Sequence, residues 1–491
     1  MESKTRVVNE AVLEKTVRRC RERGVLIPTF AEQRDPSKVP EPVKRKLKGI
    51  GMTDVNPLNL FRISWKNEPK DQGGLFNRGN WIEFPSSLTG VSARIIGLVG
   101  KHFPIGAHKV GAAFGCLVPR LMSGEFDPEV NKAAWPSTGN FCRGGAFDSA
   151  LLGCKAIAIL PEGMSKERFD WLRAIGTDEI IATHGTESNV KEIYDKCWEL
   201  RKRGDVFIFN QFEEMGNAAW HYTVTGGIVE EIFEQVKQPN SRLAAYVSAT
   251  GSAGTIAAGD YLRTRYPHLK VLATEALQCP TLLRNGWGAH RIEGIGDKHV
   301  PWVHNVRNTD MVAAIDDEQC MQILRLFNEP AGHAWLAQHG ISSDLVAQLP
   351  LVGISGICNV IAGIKAAKFY EMGPQDVILA PLTDSMALYG SRIEELRQEH
   401  GPYTAEKAAQ HFARYLEGTR EDGLRELGYW DRKALHNLKY FTWVEQQGKD
   451  SRELDRLWDP DFWTESFAQV EEWDNLIKQF NERTGVLKTL A

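Results

Sequence analysis

A lysine at the start of an apolar segment is the first residue that could do chemistry. In GKHFPIGAHKVGAAFGCLV (100–118), Pro104 and Gly106 predict a turn, and Lys109 opens a predicted helix of almost wholly apolar residues. A helix N-terminus and apolar neighbours both disfavour the ammonium form, and the neutral amine is the form that makes an imine with a carbonyl. A lysine that covers the edge of a core with its stem is the alternative, which is favoured for an isolated lysine.

A turn of small residues supplies a candidate anion site. In SATGSAGTIAAG (248–259) a predicted strand runs into a turn and then into a predicted helix, and the turn consists of Gly251, Ser252, Ala253, Gly254 and Thr255. Unobstructed main-chain amides at a helix N-terminus, with two hydroxyls beside them, suit a phosphate group. Such turns are also common without a ligand. The segment is neither a Walker phosphate loop nor the G-x-G-x-x-G pattern of dinucleotide-binding proteins.

A second polar turn precedes another predicted helix. WPSTGNFCRGGAF (135–147) offers hydroxyls, main-chain amides and a side-chain amide from Ser137, Thr138, Gly139 and Asn140. That set suits a carboxylate or a ring oxygen, although an ordinary helix cap is an equally good interpretation.

A third polar segment ends a predicted strand. In LAPLTDSMALYGSRIEEL (379–396) the strand stops at Thr383, Asp384 and Ser385, where a hydroxyl could reach a ligand or could simply cap the strand end.

Alternating strands and helices between about residues 58 and 395 would position these turns. The β-rich runs are AIAILPEG, EIIATHG, DVFIFNQF, AAYVSATGS, KVLATEA and DVILAPLTDS, and most of them end in small or polar residues before a helical stretch. This alternation predicts a parallel α/β architecture, in which ligands bind at the carboxyl ends of the strands.

The two ends of the chain differ from this central region. Apolar residues at helical spacing predict an amphipathic helix over 7–23, followed by a proline- and charge-rich wrapping arm. Beyond about residue 396 no further strand is expected, and the helical, tryptophan-rich segment is assigned to an interface or a lid. The predicted organisation is a helix and arm (1–57), a core (58–395) with a smaller subdomain at about 133–225, and a helical C-terminal extension (396–491).

Composition excludes several classes of function. The formal net charge of −4 over 491 residues gives no positive electrostatic potential of the kind that attracts nucleic acid. No apolar stretch reaches the roughly 18 residues of a membrane-spanning helix. The first residues lack the apolar core of a secretion signal, so the cytoplasm is expected. The eight cysteines form no C-x-x-C pair and lie near no histidine at zinc-site spacing, so no metal site is expected.

Taken together, these segments resemble the fold-type II pyridoxal-phosphate enzymes, and most of all cysteine synthase and cystathionine β-synthase. PIGAHK (104–109) is similar to their P-x-G-S-x-K, which implies that Lys109 forms the Schiff base with pyridoxal 5′-phosphate. PSTGN (136–140) resembles their substrate-carboxylate loop, whose asparagine, here Asn140, also contacts the 3′-oxygen of the cofactor. GSAGT (251–255) resembles their phosphate loop. TDSMALY (383–389) resembles a segment whose serine, here Ser385, bonds the pyridine nitrogen.

Longer stretches extend the resemblance over about residues 58–395. The run from 210 to 232 resembles the cysteine synthase segment in which a glutamine, here Gln211, helps to hold the substrate carboxylate. The runs at 273–301 and 353–368 are also similar to family segments. The implied fold is the tryptophan synthase β-like α/β fold, with two domains built on twisted, parallel-rich sheets. His221 and Glu275 are interpreted as structural.

Several residues depart from the family pattern. Ala107 replaces a serine that would contact the phosphate, and Val110 with Gly111 replaces the usual Asp-Arg. Phe141 replaces a threonine of the carboxylate loop, which removes a hydroxyl and narrows the site, and Arg143 could add a charged contact. Substrate choice could therefore differ from that of cysteine synthase.

The resemblance implies β-replacement or β-elimination on cysteine, serine or an O-activated serine, by a homodimer acting on a small amino acid. An ammonia-lyase acting on a hydroxy- or diamino-acid is the first alternative, because Phe141 and the unfamiliar ends leave room for another substrate. A non-catalytic scaffold subunit of the same fold is the second, supported only by the tryptophan-rich extension.

Overall fold

Two sheets organise the chain in a computed structural model that describes residues 6–185, 190–296 and 298–490. The larger sheet has the order β1-β2-β10-β7-β8-β9-β11 and the smaller one the order β5-β4-β3-β6. The strands are β1 (Trp81–Phe84), β2 (Arg94–Val99), β3 (Lys132–Pro136), β4 (Lys155–Pro161), β5 (Glu179–Thr183), β6 (Val206–Ile208), β7 (Arg242–Ala249), β8 (Lys270–Ala276), β9 (Met311–Ile315), β10 (Asp376–Leu382) and β11 (Leu424–Glu426).

Both sheets are parallel in their centres, which confirms the predicted α/β class. All pairs of the smaller sheet are parallel, and in the larger sheet only the edge strands β1 and β11 pair antiparallel. Every residue of β9 and β10 is buried, as expected for strands covered by helices on both faces. Each of the β-rich runs seen in the sequence contains a strand.

Helices cover both sheets and make up most of the two ends. The α-helices are α1 (Glu10–Glu22), α2 (Phe30–Arg34), α3 (Glu41–Leu47), α4 (Ser86–Thr89), α5 (Lys109–Ser123), α6 (Asn140–Leu152), α7 (Lys166–Ala174), α8 (Val190–Arg201), α9 (Met215–Trp220), α10 (Gly226–Val236), α11 (Ala257–Arg265), α12 (Thr281–Arg284), α13 (Asp317–Asn328), α14 (Pro330–Gln338), α15 (Ser343–Gln348), α16 (Ile354–Phe369), α17 (Gly390–His400), α18 (Ala405–Phe412), α19 (Tyr429–Lys439), α20 (Ser451–Arg456), α21 (Pro460–Thr484) and α22 (Val486–Leu490).

The C-terminal extension differs in one respect from expectation, because it contains the strand β11. Leu424–Glu426 pairs antiparallel with β9 and covers what would be an open edge of the larger sheet. A strand of three residues is too short to show an alternating pattern in the sequence. The rest of the described extension is helical and irregular.

The two ends of the chain are packed against each other and against the core. Asp474 on α21 accepts hydrogen bonds from the amides of Phe30 and Ala31 at 2.7 and 3.1 Å, and so caps the start of α2. Trp443 and Trp473 belong to the same apolar cluster as Val110 next to the candidate lysine. The extension therefore shares its hydrophobic core with the central region.

No single described helix is both long and apolar enough to cross a membrane. One bent pair, Ser343–Leu351 with Ile354–Phe369, meets the requirements of length and composition when its two helices are counted together.

Candidate active site

The candidate lysine lies at the first residue of α5 and faces a cavity. Gly106, with φ of +71°, turns the chain before the helix, and the amide of His108 donates to Thr383 O at 3.3 Å. Lys109 Nζ donates to Gln211 Oε1 at 3.2 Å and to Ser252 Oγ at 3.0 Å. Burial lowers the pKa of Lys109 to about 8, because the surrounding protein replaces the water that would solvate an ammonium ion. A larger fraction of this amine is therefore neutral near pH 7 than for an exposed lysine.

The turn at residues 251–255 follows β7 and presents its main chain to the same cavity. Within the described parts of the chain, the amides of these residues donate to no acceptor. A Cβ added at Gly254 would overlap the Asn217 side chain, and one at Gly251 would lie 2.9 Å from Gly294 O. Ala253 takes the left-handed conformation, with φ of +60°. The turn is therefore a small-residue cradle with free donors, as the sequence predicts.

Asn217 on α9 joins the cradle to the lysine. Its Nδ2 donates to Ser252 Oγ at 3.0 Å and to Gln211 O at 2.9 Å. Ser252 Oγ thus accepts from both Lys109 and Asn217, and Gln211 contacts the lysine from the other side. Sequence reasoning did not single out Asn217, although it lies within the family-like run at 210–232.

The turn at residues 137–140 forms the opposite side of the cavity. Ser137 Oγ accepts from Gly139 N at 3.0 Å and from Gln211 Nε2 at 3.4 Å. Gly139 has φ of +147°, and a Cβ there would overlap the side chain of Arg168. Glycine is therefore required at this position, both for its conformation and for the close approach of an arginine.

Asn140 begins α6 and is held from two directions. Its Nδ2 donates to Asp384 Oδ2 at 2.7 Å, and its Oδ1 accepts from Arg143 at 3.0 Å. Arg143 also donates to Ile105 O at 2.7 Å and lies over the ring of Trp171. Arg143 is fully buried and does not line the cavity, so the charged contact considered from the sequence is made to Asn140 instead of to a ligand.

A buried ionic network continues behind this turn. Asp384 Oδ2 also accepts from Tyr389 OH at 2.7 Å, and burial raises the pKa of the Asp384 carboxyl. Arg168 on α7 pairs with Glu293 and donates to Tyr389 OH at 3.1 Å. Glu293 also accepts from Arg392 Nε at 2.5 Å. The network connects helices of the smaller sheet with segments of the larger one.

One cavity brings together most of the residues singled out in the sequence. Its lining includes Lys109, Ser137, Thr138, Asn140, Gln211, Gly251, Ser252, Ala253 and Thr255. Gly139 and Gly254 stand next to lining residues in the chain, and Ser385 follows two positions after Thr383, which lines the cavity; none of the three is itself a lining residue. Ser385 is buried, and its Oγ accepts from Ala387 N at 3.4 Å.

Comparison with known proteins shows a likeness to one family. Residues 101–342 match the family described as pyridoxal-phosphate dependent enzyme. The match covers just under half of this chain. A cysteine synthase of Staphylococcus aureus (strain N315) is 29% identical over 247 residues, which are 50% of this chain and 72% of that protein. A probable cysteine synthase of Bacillus subtilis is 28% identical over 288 residues, which are 58% of this chain and 85% of that protein.

Solved structures show that the fold is shared. A hydrogen sulfide-producing enzyme from Fusobacterium nucleatum aligns with a TM-score of 0.53 at 24% identity, covering 63% of this chain and 96% of that one. An O-acetylserine sulfhydrylase isoform 3 from Entamoeba histolytica aligns with a TM-score of 0.55 at 23% identity, covering 69% and 93%. These alignments establish the fold-type II architecture of the pyridoxal-phosphate enzymes.

The residues present fit the cofactor of this family. The free amides at 251–255 match a phosphate group, and the desolvated amine of Lys109 matches an aldehyde carbon. Asn140 still has one unused N–H that could reach a ring oxygen, because its hydrogen bond to Asp384 uses only one of the two protons on Nδ2.

The cavity also contains residues that the sequence did not single out. His108, Phe212 and Ile295 line it. The ring of His108 is stacked 5.4 Å from that of Trp65, and burial keeps its pKa well below the ordinary value, so the imidazole is neutral. No sequence pattern marks these residues as cavity residues, because their position in the cavity depends on how distant segments of the chain pack together. His221, interpreted as structural, bonds Thr225 Oγ1 at 2.9 Å.

Proposed function

We propose that this pyridoxal-phosphate enzyme catalyses β-replacement or β-elimination on cysteine, serine or an O-activated serine. The observation that carries the proposal is the placement of Lys109 between the two turns, with a phosphate cradle at Ser252 and a carboxylate-binding turn reached through Gln211. The curated relatives are named cysteine synthases, which perform chemistry of this class on a serine derivative.

In this proposal the protein holds the cofactor at four points. Lys109 binds it covalently, residues 251–255 hold the phosphate, Asn140 contacts the ring oxygen and Ser385 contacts the ring nitrogen. When bound, the cofactor accepts the electrons released when a bond at the substrate α-carbon breaks. Ser385 would offer the ring nitrogen a hydroxyl and no carboxylate, so the protein would supply no acidic group at that position.

The remaining residues orient the amino acid and move its proton. Ser137, Thr138, Gly139 and Gln211 bind the substrate carboxylate through hydroxyls, amides and a side-chain amide. The free amine of Lys109 would take the proton from the α-carbon, and burial, which lowers its pKa to about 8, makes it available as a base closer to neutral pH than an exposed lysine. Phe141 lines the cavity and restricts the size of the β-substituent.

The proposal includes a homodimer in the cytoplasm. The eight cysteines are buried and form no disulfide with one another, which fits a reducing compartment. The dimer is expected from the resemblance to the family, and sedimentation equilibrium of the purified protein tests it.

The visible absorption spectrum of the purified protein tests the function. A yellow band that is absent in Lys109→Ala, and that shifts with only one of cysteine, serine and O-acetylserine, would establish the cofactor and the substrate class together. Product assays then separate replacement of the β-group from release of a keto acid and ammonia. A response to a diamino- or hydroxy-acid alone would favour the ammonia-lyase, and a protein that stays colourless with added pyridoxal phosphate would overturn the proposal.

A further inference from the structure

The C-terminal extension contacts a loop of the core through two buried polar side chains. Lys439, the last residue of α19, donates to Trp302 O at 3.0 Å and to His304 O at 2.7 Å. Trp443, one turn later, donates from Nε1 to Val300 O at 2.9 Å. Buried carbonyls require hydrogen-bond partners, so the extension supplies what the core loop at 300–304 needs in order to stay in this conformation.

This core loop in turn holds the segment that carries Gln211. The amide of Val303 donates to Phe212 O at 3.2 Å, and Phe212 lines the active-site cavity. On the other side of the turn, Lys449 forms an ion pair with Glu213 at 2.7 Å. The residues directly after Gln211 are thus attached to the extension at two points, one through the core loop and one directly.

Aromatic packing fills the space between these polar contacts. The Trp443 ring is fully buried, with its centroid 6.2 Å from that of Trp302 and 6.4 Å from that of Tyr194. Tyr194 on α8 also packs against Phe212, at 6.3 Å between centroids. Trp443 therefore lies where the smaller sheet, the core loop and the Gln211 segment meet. A large buried ring at such a junction resists displacement of any one of them.

We propose that Lys439, Trp443 and Lys449 position Gln211 against Lys109, so that the extension determines how tightly the site holds a substrate carboxylate. The part that concerns the carboxylate rests on the proposed function, whereas the mechanical coupling does not. Gln211 Oε1 and Nε2 bond Lys109 and Ser137, so a shift of its main chain changes both contacts.

Hydrogen–deuterium exchange of the full-length holoenzyme tests the coupling without reference to any substrate. Lys439→Met and Trp443→Phe remove the donors to the core loop, and the amides of residues 206–215 should exchange roughly tenfold faster in each variant. Trp430→Ala is the matched control, because this residue on the same α19 is 79% exposed. The control should exchange like the wild type. Unchanged exchange at 206–215 in the folded donor variants would overturn the proposal.

Kinetics with the amino-acid substrate tests the consequence. A small displacement of a binding group lowers catalytic efficiency by roughly tenfold to a hundredfold, and here the loss should fall mainly on KM, with kcat changed less. A merely structural role would reduce the amount of active enzyme and would therefore lower kcat at constant KM, which would contradict the proposal.

Lys449 provides a variant that keeps the test decisive if the buried substitutions prevent folding. Lys449→Ala removes the partly exposed ion pair and should raise KM roughly twofold to fivefold, while Lys449→Arg retains the charge and restores the wild-type value. Equal KM values for all three proteins would overturn the role of this contact. If no amino acid is turned over but exchange at 206–215 still rises, the proposed function fails and the coupling stands.

Discussion

The two sides of the active-site cavity are built in different ways. The cradle at 251–255 is made of main chain, and neutral side chains support it: Asn217 bonds Ser252, and Tyr246 and Ser248 on the preceding strand β7 bond Thr255. The turn at 137–140 is supported by long charged side chains, Arg143 and Arg168, which are fully buried and bond groups far away in the chain.

The two sides therefore differ in how far along the chain their supporting contacts reach. A turn of small residues takes its conformation largely from its own sequence, and it needs little from outside. Buried arginines are stable only when each is paired and hydrogen-bonded, so they require the segments that carry their partners to sit in one arrangement. We therefore expect the conformation of the turn at 137–140 to depend on the whole fold. The ability of the turn at 251–255 to bind a phosphate should depend on the free space next to its main chain.

The largest effect is expected from breaking the buried pair between Arg168 and Glu293. Arg168→Met should lower the free energy of unfolding by about 3–5 kcal/mol, because it removes one partner of a buried ion pair and leaves the other partner, Glu293, in the interior without it. Urea unfolding of the protein without cofactor measures the change. Arg173→Met on the same helix is the control, since Arg173 forms an exposed pair with Asp170. An equal decrease in the free energy of unfolding in both variants would show that the buried network stabilises the protein no more than an exposed ion pair does.

On the phosphate side, Gly254→Ala should weaken cofactor binding without unfolding the protein. Its Cβ would overlap Asn217, and overpacking of this kind costs about 1–3 kcal/mol, or roughly fivefold to 150-fold in the Kd for pyridoxal 5′-phosphate. Absorbance titration of the cofactor-free protein provides the measurement. Gly373→Ala, where an added Cβ meets nothing within 4 Å, should leave the Kd unchanged. An unaltered Kd in Gly254→Ala would mean that the cradle has room to adjust.

Lys109 lies between the two sides, and its reactivity should follow pH. Desolvation lowers its pKa to about 8, and the neutral amine is the reactive form. The rate of covalent attachment of added cofactor should therefore rise about tenfold per pH unit below pH 8 and become constant above it. Stopped-flow absorbance of the cofactor-free protein records this profile. A rate that continues to rise up to pH 10 would show that the amine has its ordinary pKa.

The smallest effect is expected for the Ser252 side chain. Ser252→Ala removes the hydroxyl that accepts from Lys109 and Asn217, at a cost of about 1 kcal/mol, or roughly fivefold in the Kd for the cofactor. Because the main chain provides most of the cradle, this loss should be smaller than that of Gly254→Ala. A larger increase in Kd for Ser252→Ala than for Gly254→Ala would mean that side chains make the main phosphate contacts. The contrast between the two sides of the cavity would then not hold.

Much of the site could be predicted from the sequence because its parts stand at the ends of parallel strands. Lys109, the turn at 137–140, Gln211 and the turn at 251–255 are far apart in the chain, yet the architecture brings such ends to one edge. Arg168 could not be found in this way, since nothing in a helical, charged segment marks it as buried. The contacts of Lys439 and Trp443 were equally hidden, because their acceptors are carbonyls of a loop with no sequence signature.

Residue type and short-range spacing by themselves determined the chemistry of this protein: an activatable amine, an anion-binding turn and a polar turn for a carboxylate. These follow from the residues because turn conformation and amide exposure are local properties of a few neighbouring positions. Only the tertiary structure decided that Asn140 bonds Asp384, that Arg168 reaches Glu293, and that the extension contacts the loop behind Phe212. Such contacts depend on how segments more than a hundred residues apart pack together, and no local pattern encodes that packing.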